Sequence, residues 1–203
     1  MRIIFQGDSI TDGGRNINDL HSLGWSYPRF VAPSLQELYK DLQFEFINRG
    51  VSGNQTIHLL ERTQQDIIDL EPDIVSILIG INDVWYYANR GCNFIPHEIF
   101  EQRYRNILTA IKQKTDAKIL MLEPYLLPVP DKQFFRIDLD PKIQIVRKLA
   151  REYADIFVPT DGLFAAATVE HTSEFFSGDG VHPNENGAQF IAKNYVDAIK
   201  TLL

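Results

Sequence analysis

Ile3-Ile4-Phe5-Gln6-Gly7-Asp8-Ser9-Ile10-Thr11 opens the chain with a short apolar run followed at once by a Gly-Asp-Ser turn. A run of that length bounded by glycine reads as a buried strand. Gly7 supplies the backbone freedom for a sharp turn, so the Ser9 hydroxyl is expected at the strand's carboxyl end. Open α/β sheets place their ligands at that edge.

The same pattern recurs along the chain. Further buried strands are predicted at Phe44 to Asn48, Ile74 to Ile79, Ile119 to Leu122 and Ile156 to Val158, each apolar or β-branched and bounded by turn residues. Between them, Leu59, Leu60, Thr63, Ile67 and Leu70 recur at helical spacing before Pro72, and Phe100, Tyr104, Ile107, Leu108 and Ile111 do so after Pro96. Ile143, Val146, Leu149 and Ala150 form a third stripe, and Phe190, Ile191, Tyr195, Val196 and Ile199 a fourth. Alternation of this kind predicts an α/β fold with about five mainly parallel strands and helices on both faces. Glu123 to Arg136 interrupts the regularity with Pro124, Pro128 and Pro130 beside Tyr125, Leu126, Leu127, Phe134 and Phe135. As a long loop after a strand, it is expected either to overhang the edge that carries Ser9 and shape a pocket, or to pack over the core.

Bulk properties bound the function. With 203 residues, 44% of them hydrophobic, residues 1–203 are expected to form one domain with a substantial core. No apolar stretch reaches the roughly 20 residues that span a bilayer. The chain runs from Met1-Arg2 directly into the first strand without an extended apolar leader, so the expected location is cytoplasmic. Cys92 is the single cysteine, which excludes an intrachain disulfide and a multi-cysteine zinc site and agrees with a reducing compartment. As a nucleophile it has a weaker case than Ser9. A formal net charge of −7 argues against a nucleic-acid or anionic-membrane surface and suits a neutral small molecule. Short basic clusters such as Lys112-Gln113-Lys114 read as solvated helix faces.

A serine hydroxyl is a poor nucleophile at neutral pH. Acyl transfer therefore needs a base for its proton, an acid to orient that base, and donors for the oxyanion. Gly178-Asp179-Gly180-Val181-His182-Pro183 offers the first two, because Asp179 lies three residues before His182 and its carboxylate can accept from Nδ1–H, leaving Nε2 for Ser9. Pro183 suits the first position of the closing helix, with Asn184 and Glu185 in its first turn. Gly80-Ile81-Asn82-Asp83 follows the third strand and brings the Asn82 amide to the edge beside Ser9, and Ser52-Gly53-Asn54 follows the second strand, where Gly53 lets a backbone N–H approach closely. With the Ser9 N–H these make three converging donors.

Taken together, Gly7-Asp8-Ser9-Ile10, Gly50-Val51-Ser52-Gly53-Asn54, Gly80-Ile81-Asn82-Asp83 and Asp179-Gly180-Val181-His182-Pro183 resemble the SGNH, or GDSL-type, hydrolase family. The resemblance runs from the first strand to the last helix. It implies a flavodoxin-like three-layer α/β/α sandwich, Ser9 as nucleophile, His182 as general base, Asp179 as orienting acid, and the Ser9 and Gly53 N–H groups with the Asn82 amide as oxyanion hole. The family often has threonine directly after the Gly-Asn pair. Here Gln55 intervenes before Thr56, which puts one supporting contact in question but not the donors themselves.

Within the family, Ser52-Gly53-Asn54, Arg62 and Gly80-Ile81-Asn82-Asp83-Val84-Trp85 are similar to bacterial carbohydrate esterases that deacetylate xylan and its oligosaccharides. That likeness implies a serine esterase for short acyl groups, acetyl foremost, on sugar hydroxyls. Trp85, with Tyr86 and Tyr87 following it and Trp25 as the second tryptophan, offers an apolar face to a sugar ring, or else belongs to a core or interface. Arg62 either hydrogen-bonds a sugar or holds a loop carboxylate. Asp8 and Asp83, beside site residues, read first as helix caps or acceptors of backbone N–H groups, with Asp8 also a candidate substrate contact. A metal centre of Asp8, Asp12, Asp179 and His182 leaves a well-placed serine unused, so neither metal nor cofactor is expected. His21, His58, His97 and His171 lack the Asp-x-x-His context. Two other readings stand beside the leading one: a lysophospholipase or thioesterase with an apolar acyl tunnel, and a non-catalytic carbohydrate- or acyl-binding module. The Trp85-Tyr86-Tyr87 run also leaves homo-oligomerisation open.

Overall fold

A computed structural model describes residues 1–88 and 94–203, so Cys92 lies outside the described residues. Five strands, β1 (Arg2–Gly7), β2 (Glu45–Asn48), β3 (Ile74–Leu78), β4 (Lys118–Leu122) and β5 (Ile156–Val158), form one sheet in the order β2-β1-β3-β4-β5. Every pairing is parallel. The helices are α1 (Ser9–Asp12), α2 (Pro28–Leu38), α3 (Thr56–Asp66), α4 (Asn82–Ala88), α5 (His97–Lys114), α6 (Arg136–Tyr153), α7 (Thr160–Ala167), α8 (Ser173–Phe176) and α9 (Glu185–Ile199), with 3₁₀ turns at Ile68–Leu70 and Pro130–Phe135.

Side chains along a strand alternate between the two faces of the sheet. Ile3, Phe5, Ile74, Leu78, Leu120 and Leu122 enter one core, which Val31 and Leu35 of α2 and Ile191 and Tyr195 of α9 close. Ile4, Val75, Ile77, Ile119 and Met121 enter the other, closed by Leu59 of α3, Phe100, Ile107 and Ile111 of α5, and Val146 and Leu149 of α6. The result is a three-layer α/β/α sandwich. Burial on both faces explains why the strands read as continuous apolar runs without a polar alternation. Each such side chain contributes roughly 1.5–3 kcal/mol on leaving water.

The strand order reverses direction between β1 and β3. The chain leaves β1 for β2 on one side and later returns to β3 on the other, opening a crevice where two adjacent loops diverge. Gly7 pairs in register with Leu78, so the turn that begins at Asp8 and the turn that begins at Ile79 leave the same edge side by side. Gly7 serves this arrangement differently from the expectation. It has no positive φ; instead a Cβ there would stand 2.4 Å from both Leu78 O and Thr11 Oγ1. Close approach of α1 to β3 is what demands glycine.

Three further departures have physical causes. The apolar stripe from Ile143 belongs to a longer helix, α6, which starts at Arg136 and incorporates Pro141. Tyr27, Val31 and Leu35 recur every four residues around α2, whose first residue is Pro28; this helical signal is present in the sequence but sits beside no strong strand boundary. Pro183 does not take the first position of α9 but lies before its cap: Asn184 is the N-cap, its side chain accepting from the Gly187 amide at 3.1 Å, and Glu185 is the first helical residue.

Residues 123–136 brace the crevice edge from within. Tyr125, Leu126 and Leu127 are buried in the core. Leu127 N donates to Gly180 O at 2.9 Å and the Tyr125 hydroxyl donates to Val181 O at 2.9 Å, tying the segment to the loop that carries His182. Three large apolar side chains in succession gain more from the core than from an exposed pocket wall, so the packing alternative prevails. Among the described residues no helix is long and apolar enough to cross a membrane.

Candidate active site

Asp8 caps α1 through Oδ1, which accepts from the Ile10 amide at 3.0 Å, and this turn presents Ser9 at the crevice. Ser9 Oγ lies 2.9 Å from His182 Nε2, and His182 Nδ1 lies 2.7 Å from Asp179 Oδ2. An ionised carboxylate only accepts, so Nδ1 carries the proton and Nε2 is left to accept from the serine. Asp179 Oδ1 also accepts from the amides of Val181 at 2.9 Å and His182 at 2.8 Å. Burial pushes the Asp179 carboxyl up, but the His182 bond and these two amides outweigh it and hold it well below the usual range. The same Asp179 bond raises His182 above its ordinary value against the opposing effect of burial, with the charge of Asp8 adding to the rise.

Gly53 and Asn82 line the same cleft as Ser9 and His182. Gly53 has φ +80°, and a Cβ there would meet no atom of the described residues within 4 Å, so the position faces open space and its backbone is in the region that favours glycine. Asn82 Nδ2 donates one hydrogen to Asn54 O at 3.1 Å, which orients the amide, and its second hydrogen has no partner among the described residues. Gln55 Nε2 returns a bond to Asn82 O at 2.9 Å.

The contact that Gln55 put in question is made by its neighbour. Thr56 donates its amide to Asp83 Oδ2 at 3.0 Å and its hydroxyl to Asp83 Oδ1 at 2.6 Å. Asp83 is fully buried. Burial pushes its carboxyl up to about 6 against the two Thr56 bonds and the charges of Lys142 and Arg103. This clamp joins the start of α3 to the start of α4 and so sets the separation of the Gly53 and Asn82 loops.

The cleft encloses about 730 Å³ and is lined by Ser9, Gly13, Gly14, Trp25, Ser26, Ser52, Gly53, Asn82, Trp85, Tyr86, His182 and Pro183. Residues 5–190 match the GDSL-like lipase/acylhydrolase family. The chain belongs to that family. This GDSL-like hydrolase is 30% identical over 205 residues to an acetylxylan esterase from Geobacillus stearothermophilus, covering 98% of this chain and 93% of the relative. The crystal structure of Axe2, an acetylxylan esterase from the same organism, superimposes with a TM-score of 0.89 at 28% identity, covering 97% of this chain and 92% of Axe2. Axe2 variants with a serine or a histidine replaced by alanine are described as catalytic mutants. A structure from Parabacteroides merdae, described as that of a GDSL-like lipase, gives a TM-score of 0.91 at 35% identity over 98% of this chain and 95% of that one. The protein is thus a carboxylic ester hydrolase of this family.

Of Asp8, Arg62 and Trp85, the candidate substrate contacts in this GDSL-like hydrolase, Trp85 lines the cleft and the other two do not. Its ring lies 5.7 Å from that of His182 and 5.8 Å from that of Phe135, and Lys132 Nζ stands 5.3 Å from its centroid. Arg62 is turned inward. Nε donates to Asn54 Oδ1 at 2.9 Å, Nη1 to Arg49 O at 2.8 Å and to Asp66 Oδ2, and Nη2 to Gly7 O at 3.2 Å. All three nitrogens are thereby engaged in joining β1, the Gly53 loop and α3. Asp8 is also beneath the surface, with Oδ2 buried and without a hydrogen-bond partner among the described residues. Burial, with the charge of Asp83 adding to it, pushes its carboxyl up to about 7 against the Ile10 bond and His182. Asp12, also weighed as a metal ligand, accepts from the Ser52 amide at 3.1 Å and hydroxyl at 2.5 Å. Trp25 and Tyr86, grouped with Trp85 in the sequence reading, line the cleft as well, together with Ser26, which sequence spacing did not single out.

Proposed function

We propose that this chain is a serine esterase that removes short acyl groups, acetyl foremost, from carbohydrate hydroxyls through an acyl-enzyme on Ser9. The observation that carries the reading is the continuous Ser9, His182 and Asp179 relay in a cleft shared with Gly53 and Asn82. Ser9 Oγ attacks the ester carbonyl while His182 Nε2 takes its proton, and Asp179 stabilises the imidazolium. The carbonyl oxygen becomes an oxyanion that accepts from the Ser9 and Gly53 amides and the free hydrogen of Asn82 Nδ2. His182 then returns the proton to the departing sugar oxygen as the carbon–oxygen bond breaks. Water, deprotonated by His182, attacks the acyl-enzyme and releases the carboxylic acid with Ser9 restored.

A short acyl group is favoured by small neighbours of Ser9 in the cleft: Gly13, Gly14, Ser26, Ser52 and Gly53. Leu126 and Leu127, which a long acyl tunnel would use, are packed in the core. Xylo-oligosaccharide esters are the first substrates to try, since Axe2 is described both as an acetylxylan esterase and as an acetyl-xylooligosaccharide esterase. The test compares p-nitrophenyl acetate, butyrate and octanoate, then acetylated xylo-oligosaccharides, with wild type and Ser9→Ala. Acetate should be cleaved fastest, and Ser9→Ala should lose at least about 10⁴-fold in kcat with its fold intact. A Ser9→Ala variant retaining most of the rate refutes the nucleophile, and fastest cleavage of octanoate restores the lysophospholipase or thioesterase reading.

A further inference from the structure

Trp25 lines the cleft, yet the residue is 72% exposed. A large indole left in water calls for a reason, and this one is held in place. Its amide donates to Gly13 O at 2.8 Å, and Gly13 closes α1, the helix that begins at Ser9. A Cβ on Gly13 would come within 2.6 Å of the Ser26 amide nitrogen, and one on Gly24 within 2.3 Å of Asp12 O, so the Trp25 turn lies directly against α1. Asn48 Nδ2 joins the same two segments by donating to Thr11 O at 2.7 Å and Leu23 O at 2.9 Å. The Arg29 guanidinium carbon stands 4.7 Å from the indole centroid, a cation–π contact that orients the ring. The Trp25 backbone is therefore fixed relative to the nucleophile, and Arg29 packs on its exposed ring.

Trp85 is engaged differently. Its ring already meets His182, Phe135 and Lys132, which makes it a wall of the site more than an open platform. A pyranose presents a face of C–H groups that packs on the electron-rich face of an indole. We propose that Trp25, braced by Arg29, is the platform for a sugar ring of the substrate and selects sugar esters over simple alkyl esters. This inference rests on the reading of the chain as a carbohydrate esterase.

The experiment measures kcat and KM of wild type, Trp25→Ala and Trp25→Phe on acetylated xylo-oligosaccharide and on ethyl acetate, whose alcohol has no ring to stack. For Trp25→Ala the ratio of kcat/KM between the sugar ester and ethyl acetate should fall by roughly three- to tenfold, through KM more than kcat, and Trp25→Phe should recover most of it. A wild type that cleaves the sugar ester while Trp25→Ala leaves the ratio unchanged overturns the platform and leaves the carbohydrate reading standing. If that variant also elutes as a smaller species, Trp25 belongs to an interface between copies. A wild type that cleaves ethyl acetate but no sugar acetate overturns both.

Discussion

Asp8→Asn should stabilise this protein, and increasingly so as the pH rises. The Asp8 carboxyl has an ordinary value of 3.8 and is pushed up to about 7 in the fold, chiefly by burial. Between those two pH values the folded protein keeps a proton that the unfolded chain has released. The neutral carboxyl's contribution to stability is thus fully present below pH 3.8 and is lost as the pH rises to about 7. At about 1.4 kcal/mol per pH unit, the loss amounts to about 4 kcal/mol. Above that pH the fold carries a buried carboxylate whose Oδ2 has no hydrogen-bond partner among the described residues. The amide variant keeps an oxygen to accept from Ile10 N and carries no charge. Urea unfolding of both proteins at pH 4, 6 and 8 should show the difference in unfolding free energy, variant minus wild type, growing by about 4 kcal/mol across the series. Other titrating groups are common to both proteins and largely cancel. A difference that stays flat from pH 4 to pH 8 refutes the account.

Thr56→Val removes the hydroxyl that Asp83 Oδ1 accepts at 2.6 Å within a fully buried site. A loss of about 1–3 kcal/mol in stability is expected, together with a fall in kcat that exceeds any change in KM for ethyl acetate; Thr56→Ser, which keeps both donors, should restore each. Gly7→Ala places a methyl 2.4 Å from Leu78 O and should cost about 3 kcal/mol or more by forcing β1 and β3 apart, which thermal unfolding can measure.

Much of this protein was determined by sequence alone. Short apolar runs at Ile3, Ile74 and Ile119 mark strands buried on both faces, because only a sheet covered on both sides demands such continuity. The stripe from Phe100 to Ile111 marks α5 for the equally local reason that helical spacing puts those residues on one face. That Ser9, His182, Asp179, Gly53 and Asn82 come together as one candidate site was legible because each follows a strand or precedes a helix in a short pattern with its own chemistry. Tertiary structure decided what lies between these patterns. Gly7 is glycine because β3 and α1 converge on it, a contact between residues about 70 positions apart that no local pattern records. Arg62 points inward because Asn54, Asp66, Arg49 and Gly7 surround it with acceptors, and the segment from Tyr125 to Leu127 is core because the His182 loop closes over it. Local periodicity encodes which face of an element is apolar; which distant element meets that face, and which polar group is left without water, is set only when the layers pack.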